Sequence, residues 1–468
     1  MLISEKLLKG RADMTIILFA VLAVTEAAFL ISQFSAATEK RNWNKKRLLV
    51  SCMELAAFGV MLLLPDIDLS FRFMGLLLIL FIRLLFAGIG FLLHRKSSKI
   101  KTKPGKIMSC IFSILMLSFA MLPAFVFRNY SGRPLTGTYT PAECSAILTD
   151  ISRTEQFEQD GSHREIPVHI FYPAETDRIA AHSLPLVVFS HGAFGWYQSN
   201  LSAYQELASN GYVVVSMEHP YHALFTKDTA GKLITVDKTF LKNAMTIGSS
   251  SADETEKESV FQTECEWMKL REDDMNFTVD TLKSAASGDL SAWTFVGGTQ
   301  KQTETAMNMV NTEKIGLMGH SLGGATAVTV GRRADISAAI DIDGTMLGEQ
   351  TGFVDGKYII STEPYPTPLL SIDNETHHND RVEAIKTGYV YANNVVLDHA
   401  ETAYSTYFVG AGHMNFTDLP LISPFLANML GTGEINPETC TDTLNALILD
   451  FFNCYLKNQG DFSVQEHY

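Results

Sequence analysis

Four long apolar runs, Thr15–Phe34, Leu48–Leu64, Phe73–Leu93 and Ile107–Phe127, dominate the front of this 468-residue chain. Each approaches the roughly 17–25 residues that a helix needs to cross hydrocarbon, the second being the weakest match. Four such runs in succession do not fit one water-soluble globule. They predict a membrane domain of about four transmembrane helices over residues 1–133, and a second domain over 134–468. Charge divides the chain at the same place. Residues 1–133 hold 18 Lys and Arg against 7 Asp and Glu, and the rest hold 19 against 44. An acidic second domain excludes nucleic acid as a partner, since binding phosphates needs a basic face.

Basic residues cluster after the first run (Lys40, Arg41, Lys45, Lys46, Arg47) and after the third (Arg95, Lys96, Lys99, Lys101, Lys103, Lys106). With four crossings both loops share a face, and the positive-inside rule makes it cytoplasmic. The bilayer is thus a partner, and the chain after Phe127 is expected on the extracytoplasmic side. Lys6, Lys9 and Arg11 oppose this weakly. Cleavage near Ser35-Ala36-Ala37 is an alternative, but it would put the loop at Lys40–Arg47 on the wrong face, so the first run is read as an anchor. Lone charges in mid-membrane are costly, so Arg83 is expected to pair with Glu26 or Glu54 as a clamp between helices.

From Arg128 the linker is rich in Gly and Pro, and beyond it strands alternate with helices, the pattern of a mostly parallel sheet covered on both faces. Expected strands are Glu165–Tyr172, Leu184–Phe189, Gly211–Met217, Lys314–Met318, Ile336–Ile342, Pro368–Ile372 and Ala403–Val409. Expected helices include Leu201–Ser209, Ala325–Gly331 and Leu444–Leu456. The stretch at about 240–313, opening with Ser249–Ser259, is too long for one crossover; it reads either as a cap over a cleft or as an insertion with its own small core. Cys144, Cys265, Cys440 and Cys454 permit disulfides in an oxidising compartment, and no C-x-x-C pair suggests zinc. Asn129, Asn200, Asn276, Asn374 and Asn415 open N-x-S/T sequons.

The chemistry concentrates in Lys314–Gly324, KIGLMGHSLGG, where G-x-S-x-G falls between an apolar strand and a small-residue helix. A sharp strand-to-helix turn lifts the Ser321 hydroxyl into a cleft, and it needs neighbours without bulk. A serine nucleophile also needs amide donors for the oxyanion of its tetrahedral intermediate. The loop Ser190-His191-Gly192-Ala193-Phe194-Gly195 follows a strand and offers the Ala193 N–H; Leu322 offers the second. His191 reads as a loop brace. The order Ser, acid, His of the α/β-hydrolase fold places the base late, and His413 in Gly410-Ala411-Gly412-His413 fits. His377 and His378 read as solvated. Asp343 and Asp373 end consecutive strands and both could orient His413. Asp341 shares the face of Asp343 but sits deeper.

Over nearly all of residues 135–460 the chain resembles the platelet-activating factor acetylhydrolase group of α/β-hydrolases. The resemblance rests on Asp150–Glu155, Pro167–Tyr172, Phe189–Gly192, Ala208–His222, Gly319–Thr326, Ala339–Asp343 and Gly412–Phe416. It implies a Ser321–Asp343–His413 triad, a two-amide oxyanion hole, no metal and no cofactor. The usual aromatic after the nucleophile is Leu322 here, which leaves the amide donor in place. The expected activity is hydrolysis of lipid-like or short-acyl carboxylic esters. Amide or peptide hydrolysis by the same residues is the alternative, and a catalytically idle sensor or scaffold is a third.

Overall fold

The computed structural model describes residues 2–34, 37–64, 67–247 and 254–468, with side chains from Met14 onward and, in the helix opening at Glu254, from Lys257. The side chains of Lys6, Lys9 and Arg11, the Ser35-Ala36 pair, Asp66 and the start of the Ser249–Ser259 stretch lie outside the described residues. Two compact units emerge: Met1–Ser131 with Ile422–Leu426, and Gly132–Leu421 with Ala427–Tyr468.

The first unit contains helices α1 (Leu2–Phe34), α2 (Lys40–Met61), α3 (Phe71–Leu93) and α4 (Lys103–Val126). The Ser70 hydroxyl caps α3 by accepting from the Arg72 N–H, and Thr102 caps α4 by accepting from Gly105. Three segments are long and apolar enough to cross a membrane: Met14–Phe34, Phe71–Leu93 and Lys103–Val126. The second expected crossing is not among them. Its helix opens on Lys40, Arg41, Lys45, Lys46 and Arg47, which shortens its apolar part. Arg83 pairs with both Glu26 and Glu54. Arg47, read from sequence as a loop cation, lies within α2 and joins them, 2.6 Å from Glu26. Two cations and two carboxylates so placed neutralise one another among the helices, where an unpaired charge would be expensive.

The second unit is built on a nine-stranded sheet: β1 (Pro141–Thr154), β2 (His163–Pro173), β3 (Leu184–Ser190), β4 (Val213–Met217), β5 (Trp293–Phe295), β6 (Val310–His320), β7 (Ala338–Ile342), β8 (Leu369–Asn374) and β9 (Ala403–Phe408). Their spatial order is β9-β8-β7-β6-β3-β4-β2-β1-β5. The six strands from β9 to β4 are parallel, and β2, β1 and β5 continue antiparallel. The central strands are uninterrupted apolar runs such as Leu184–Phe189, because both faces are covered. Helices α5 (Leu201–Ser209), α6 (Lys238–Ile247), α7 (Glu254–Ala286), α8 (Gln300–Met309), α9 (Leu322–Val330) and α10 (Glu375–Thr387) and the closing helix Pro437–Lys457 surround the sheet. This is an α/β-hydrolase fold.

The 240–313 stretch is more than a covering. Met275, Val279, Leu282 and Ala285 of α7 belong to the same buried cluster as β1, β2, β3, β4 and β6, so the last third of this long helix is part of the main core. All six cysteines are unpaired. Asn200, Asn374 and Asn415 are buried, which removes them as glycan acceptors in the folded chain.

Parallel β3, β6, β7, β8 and β9 end at one edge of the sheet. The loops leaving them carry Ser190–Gly195, Ser321, Asp343, Asn374 and His413, and ligand sites in such sheets gather at this edge.

Candidate active site

Ser321 occupies the single-residue corner between β6 and α9, at φ 58° and ψ −126°. An L-residue there is strained, and the surroundings hold it in place: the Ser321 N–H donates to Ile342 O at 2.9 Å. The three glycines of the motif are sterically required. A Cβ on Gly319 would lie 2.1 Å from Gly323 O, one on Gly323 1.9 Å from Ser190 O, and one on Gly324 2.0 Å from Asp341 Oδ1. Ser321 Oγ makes no hydrogen bond among the described residues, so its hydroxyl is uncommitted.

The β3 loop faces this corner. A Cβ on Gly192 would stand 3.0 Å from Ser321 Cβ, so glycine is what lets the loop approach. Among the described residues, neither the Ala193 N–H nor the Leu322 N–H donates to any protein acceptor. Two unpartnered amides beside an uncommitted hydroxyl are what an oxyanion pocket requires. Next to them Phe194, Phe240, His222 and Trp267 form an aromatic layer, with His222 and Phe240 stacked at 3.8 Å.

His413 opens a short turn after β9, one-third exposed, and its Nδ1 lies 2.6 Å from Asp343 Oδ2. With Nδ1–H given to the carboxylate, Nε2 is left as the basic nitrogen. Asp343 is fully buried, yet it receives three further donors: Asn374 N–H at 2.7 Å, Asn374 Nδ2 at 2.6 Å and His377 Nδ1 at 3.0 Å. Burial alone would raise its pKa, but the hydrogen bonds from His377 and His413 outweigh that and hold the carboxyl well below the usual carboxylate range. Asp373 is turned to another task, an ion pair with Arg381. Asp341 is also fully buried and accepts from the Gly344 N–H at 3.0 Å; burial and the neighbouring Asp373 and Asp343 raise its pKa well above the ordinary value.

His377 and Asn374 are the residues that sequence reasoning passed over. Neither lies in a solvated loop: Asn374 caps α10 by accepting from the His377 N–H, which turns the first helical turn onto Asp343. His378 stacks on Tyr407 at 3.8 Å. The only local signal was an Asn N-cap ending a strand one register from Asp343. His320, Asp343 and His413 bring ligand-type atoms within 4.8 Å of one another. Of these, His320 Nε2 donates to His413 O at 3.1 Å and Asp343 is saturated with donors.

Behind the β3 loop lies a second serine, histidine and aspartate in hydrogen-bonded sequence. Ser190 Oγ is 2.9 Å from His219 Nε2, and His219 Nδ1 is 2.9 Å from Asp274 Oδ2. All three are fully buried. Asp274 also takes Arg164 at 2.7 Å and Arg153 at 2.9 Å. Burial would raise the Asp274 carboxyl, but Arg164 and His219 hold it far below its ordinary range. Burial lowers His219 to about 4, so at neutral pH it is an uncharged link.

Residues 163–467 match the family described as platelet-activating factor acetylhydrolase, isoform II. The chain belongs to this family. Among curated relatives, the platelet-activating factor acetylhydrolase of Bos taurus is 25% identical over 292 residues, covering 59% of this chain and 58% of that protein. The match therefore spans less than two thirds of that relative. Among solved structures, a ferulic acid esterase from Streptomyces cinnamoneus superposes with a TM-score of 0.48 at 20% identity, over 70% of this chain and 93% of the esterase. The family match begins at β2 and takes in Ser321, Asp343 and His413, while α1 to α4 lie outside it.

Proposed function

We propose that this member of the acetylhydrolase family is a membrane-anchored serine hydrolase of carboxylic esters, acting through Ser321, His413 and Asp343. The observation that carries the reading is the Ser321 corner, with an uncommitted hydroxyl at a strained turn between two unpartnered amides, beside a histidine whose far nitrogen is fixed by a buried carboxylate. In this mechanism His413 Nε2 takes the proton of Ser321 Oγ as the oxygen attacks the ester carbonyl. The Ala193 and Leu322 amides stabilise the oxyanion. Collapse expels the alcohol, which receives the proton from His413. Water, deprotonated by His413, then cleaves the acyl-enzyme and restores Ser321. Asp343 stays ionised throughout and holds the imidazole in the tautomer with Nδ1 protonated. The family and the apolar helices favour lipid-like or short-acyl esters at the bilayer as substrates.

A panel of esters of graded acyl length, with matched amides, tests this reading on wild type and Ser321→Ala. Ester turnover lost in the variant is expected, with amides cleaved far more slowly. Equal turnover by both proteins would overturn it. If all four helices cross, the basic loops at Lys40–Arg47 and Arg95–Lys106 favour the 134–468 domain lying outside the cytoplasm. Protease added to spheroplasts is expected to digest the chain beyond Arg128 and spare Lys40–Arg47, and the reverse pattern would invert the topology.

A further inference from the structure

Arg271, on α7, is a wholly buried guanidinium, and among the described residues no carboxylate lies within ion-pair distance of it. Its neighbours Arg164 and Arg153 take the available acids, Asp274, Glu155 and Asp150. A buried cation without a counter-ion is costly, so its remaining contacts should say what it is for. Nη1 donates to His191 O at 2.6 Å, Nη2 to Gly192 O at 3.2 Å, and Nε to His222 Nδ1 at 3.3 Å. Burial lowers Arg271 to about 9, which leaves it charged at neutral pH.

The Gly192 carbonyl also accepts from His191 Nδ1 at 2.6 Å. That assignment is consistent around the ring, since His191 Nε2 accepts from the His219 N–H at 3.2 Å. With the Gly195 N–H at 3.2 Å, three donors, one of them cationic, thus converge on a single carbonyl. It belongs to the same peptide unit as the Ala193 N–H, and in a planar trans peptide the N–H points away from the C=O. Fixing the carbonyl toward Arg271 fixes the amide toward Ser321. Drawing electron density onto the carbonyl also makes the amide a stronger donor.

We propose that Arg271 is a positioning residue of the oxyanion pocket, whose guanidinium holds and polarises the Gly192–Ala193 peptide so that its N–H meets the oxyanion formed on attack by Ser321. This rests on the ester-hydrolase reading given above. The role is electrostatic as well as steric: the cation lies on the side of the peptide opposite the developing negative charge, and Asp274, which attracts it, makes no ion pair with it. No short-range pattern links Arg271 to the loop, which it meets across some eighty residues of chain.

The test compares a short-acyl aryl ester with its thionoester on wild type, Arg271→Met, Arg271→Gln and Arg271→Lys, with thermal melts of each. A thiocarbonyl sulfur accepts weakly from amides, so thionoester turnover depends less on the pocket. Arg271→Met is expected to lower ester kcat on the order of 10–100-fold with little change in KM, somewhat less than the loss of a whole oxyanion donor. Thionoester turnover should fall much less, so the ester-to-thionoester ratio drops. Arg271→Lys, which keeps the charge, should hold a higher ratio than Arg271→Gln, and this comparison stands even if the Met variant fails to fold. Equal losses on both substrates, or equal ratios for Lys and Gln, would overturn the proposal. Turnover of the ester by Ser321→Ala would instead overturn the reading beneath it.

Discussion

Ser190, His219 and Asp274 are linked by two hydrogen bonds of 2.9 Å and are sealed from solvent. Ser321, His413 and Asp343 share only the histidine–aspartate link, their serine hydroxyl is free, and the histidine is one-third exposed. The two sets have the same residue types and stand on opposite sides of one loop. In the first, every donor and acceptor is consumed within the protein, and Arg164 and Arg153 tie the aspartate into the core. In the second, the strained corner at Ser321 and the amides of Ala193 and Leu322 keep hydrogen-bonding capacity that no described protein group takes up. A serine–histidine–aspartate chain is therefore not a site by composition. It becomes one where its hydrogen-bonding capacity is left unspent next to solvent.

The contrast can be broken by exchanging the aspartates for asparagine. Asp343→Asn should lower ester turnover by about ten-thousand-fold, because the His413 imidazole loses its preferred tautomer. Asp373→Asn should cost far less turnover, since its carboxylate serves Arg381. Steady-state kinetics on the folded variants decide the matter; a greater loss from Asp373→Asn would reassign the acid. Asp274→Asn should behave in the opposite way. Removing one of the two carboxylate partners of buried Arg164 is expected to cost about 3 kcal/mol of stability, measured by urea denaturation, and more than Asp343→Asn costs.

These differences were unequally legible in the sequence. The glycines at 319, 323 and 324 announce the Ser321 corner because their need is steric and local, each answering to a backbone or side-chain atom within about 2 Å. His413 stands out by chain order together with its glycine-flexed loop after a late strand. Asp343 and Asp373 both end parallel strands, and what favours Asp343 is the family resemblance with the Asp343-Gly344 turn leaving its strand. His377 and Arg271 were invisible because long-range packing brings them to the site: α10 turns back onto β7, and α7 reaches the β3 loop from far along the chain. Strand β1 is not among the expected strands, as its half-buried face mixes Glu143, Ser145 and Thr149 with apolar positions. Edge strand β5, three residues long, carries too little pattern to read.

A smaller effect should sharpen the account of α7, which carries Asp274. Nearly three turns upstream, Glu264 is buried with one carboxylate oxygen unpartnered, and burial raises it from 4.5 to about 7. Between these values the unfolded chain has released the proton and the folded chain retains it, so stability should decline as pH rises from about 4.5 to 7 and then level off. Glu264→Gln should flatten that slope and raise Tm by a few degrees at pH 8, read by thermal melts across the range. An unchanged slope would mean that Glu264 is solvated in the folded protein.

The most direct measurement is fluorophosphonate labelling with the modified residue mapped by mass spectrometry, on wild type, Ser190→Ala and Ser321→Ala. The expected result is a label on Ser321 in the wild type and in Ser190→Ala, and none in Ser321→Ala. Labelling that persists in Ser321→Ala, or that maps to Ser190, would contradict the assignment of catalysis to the exposed set.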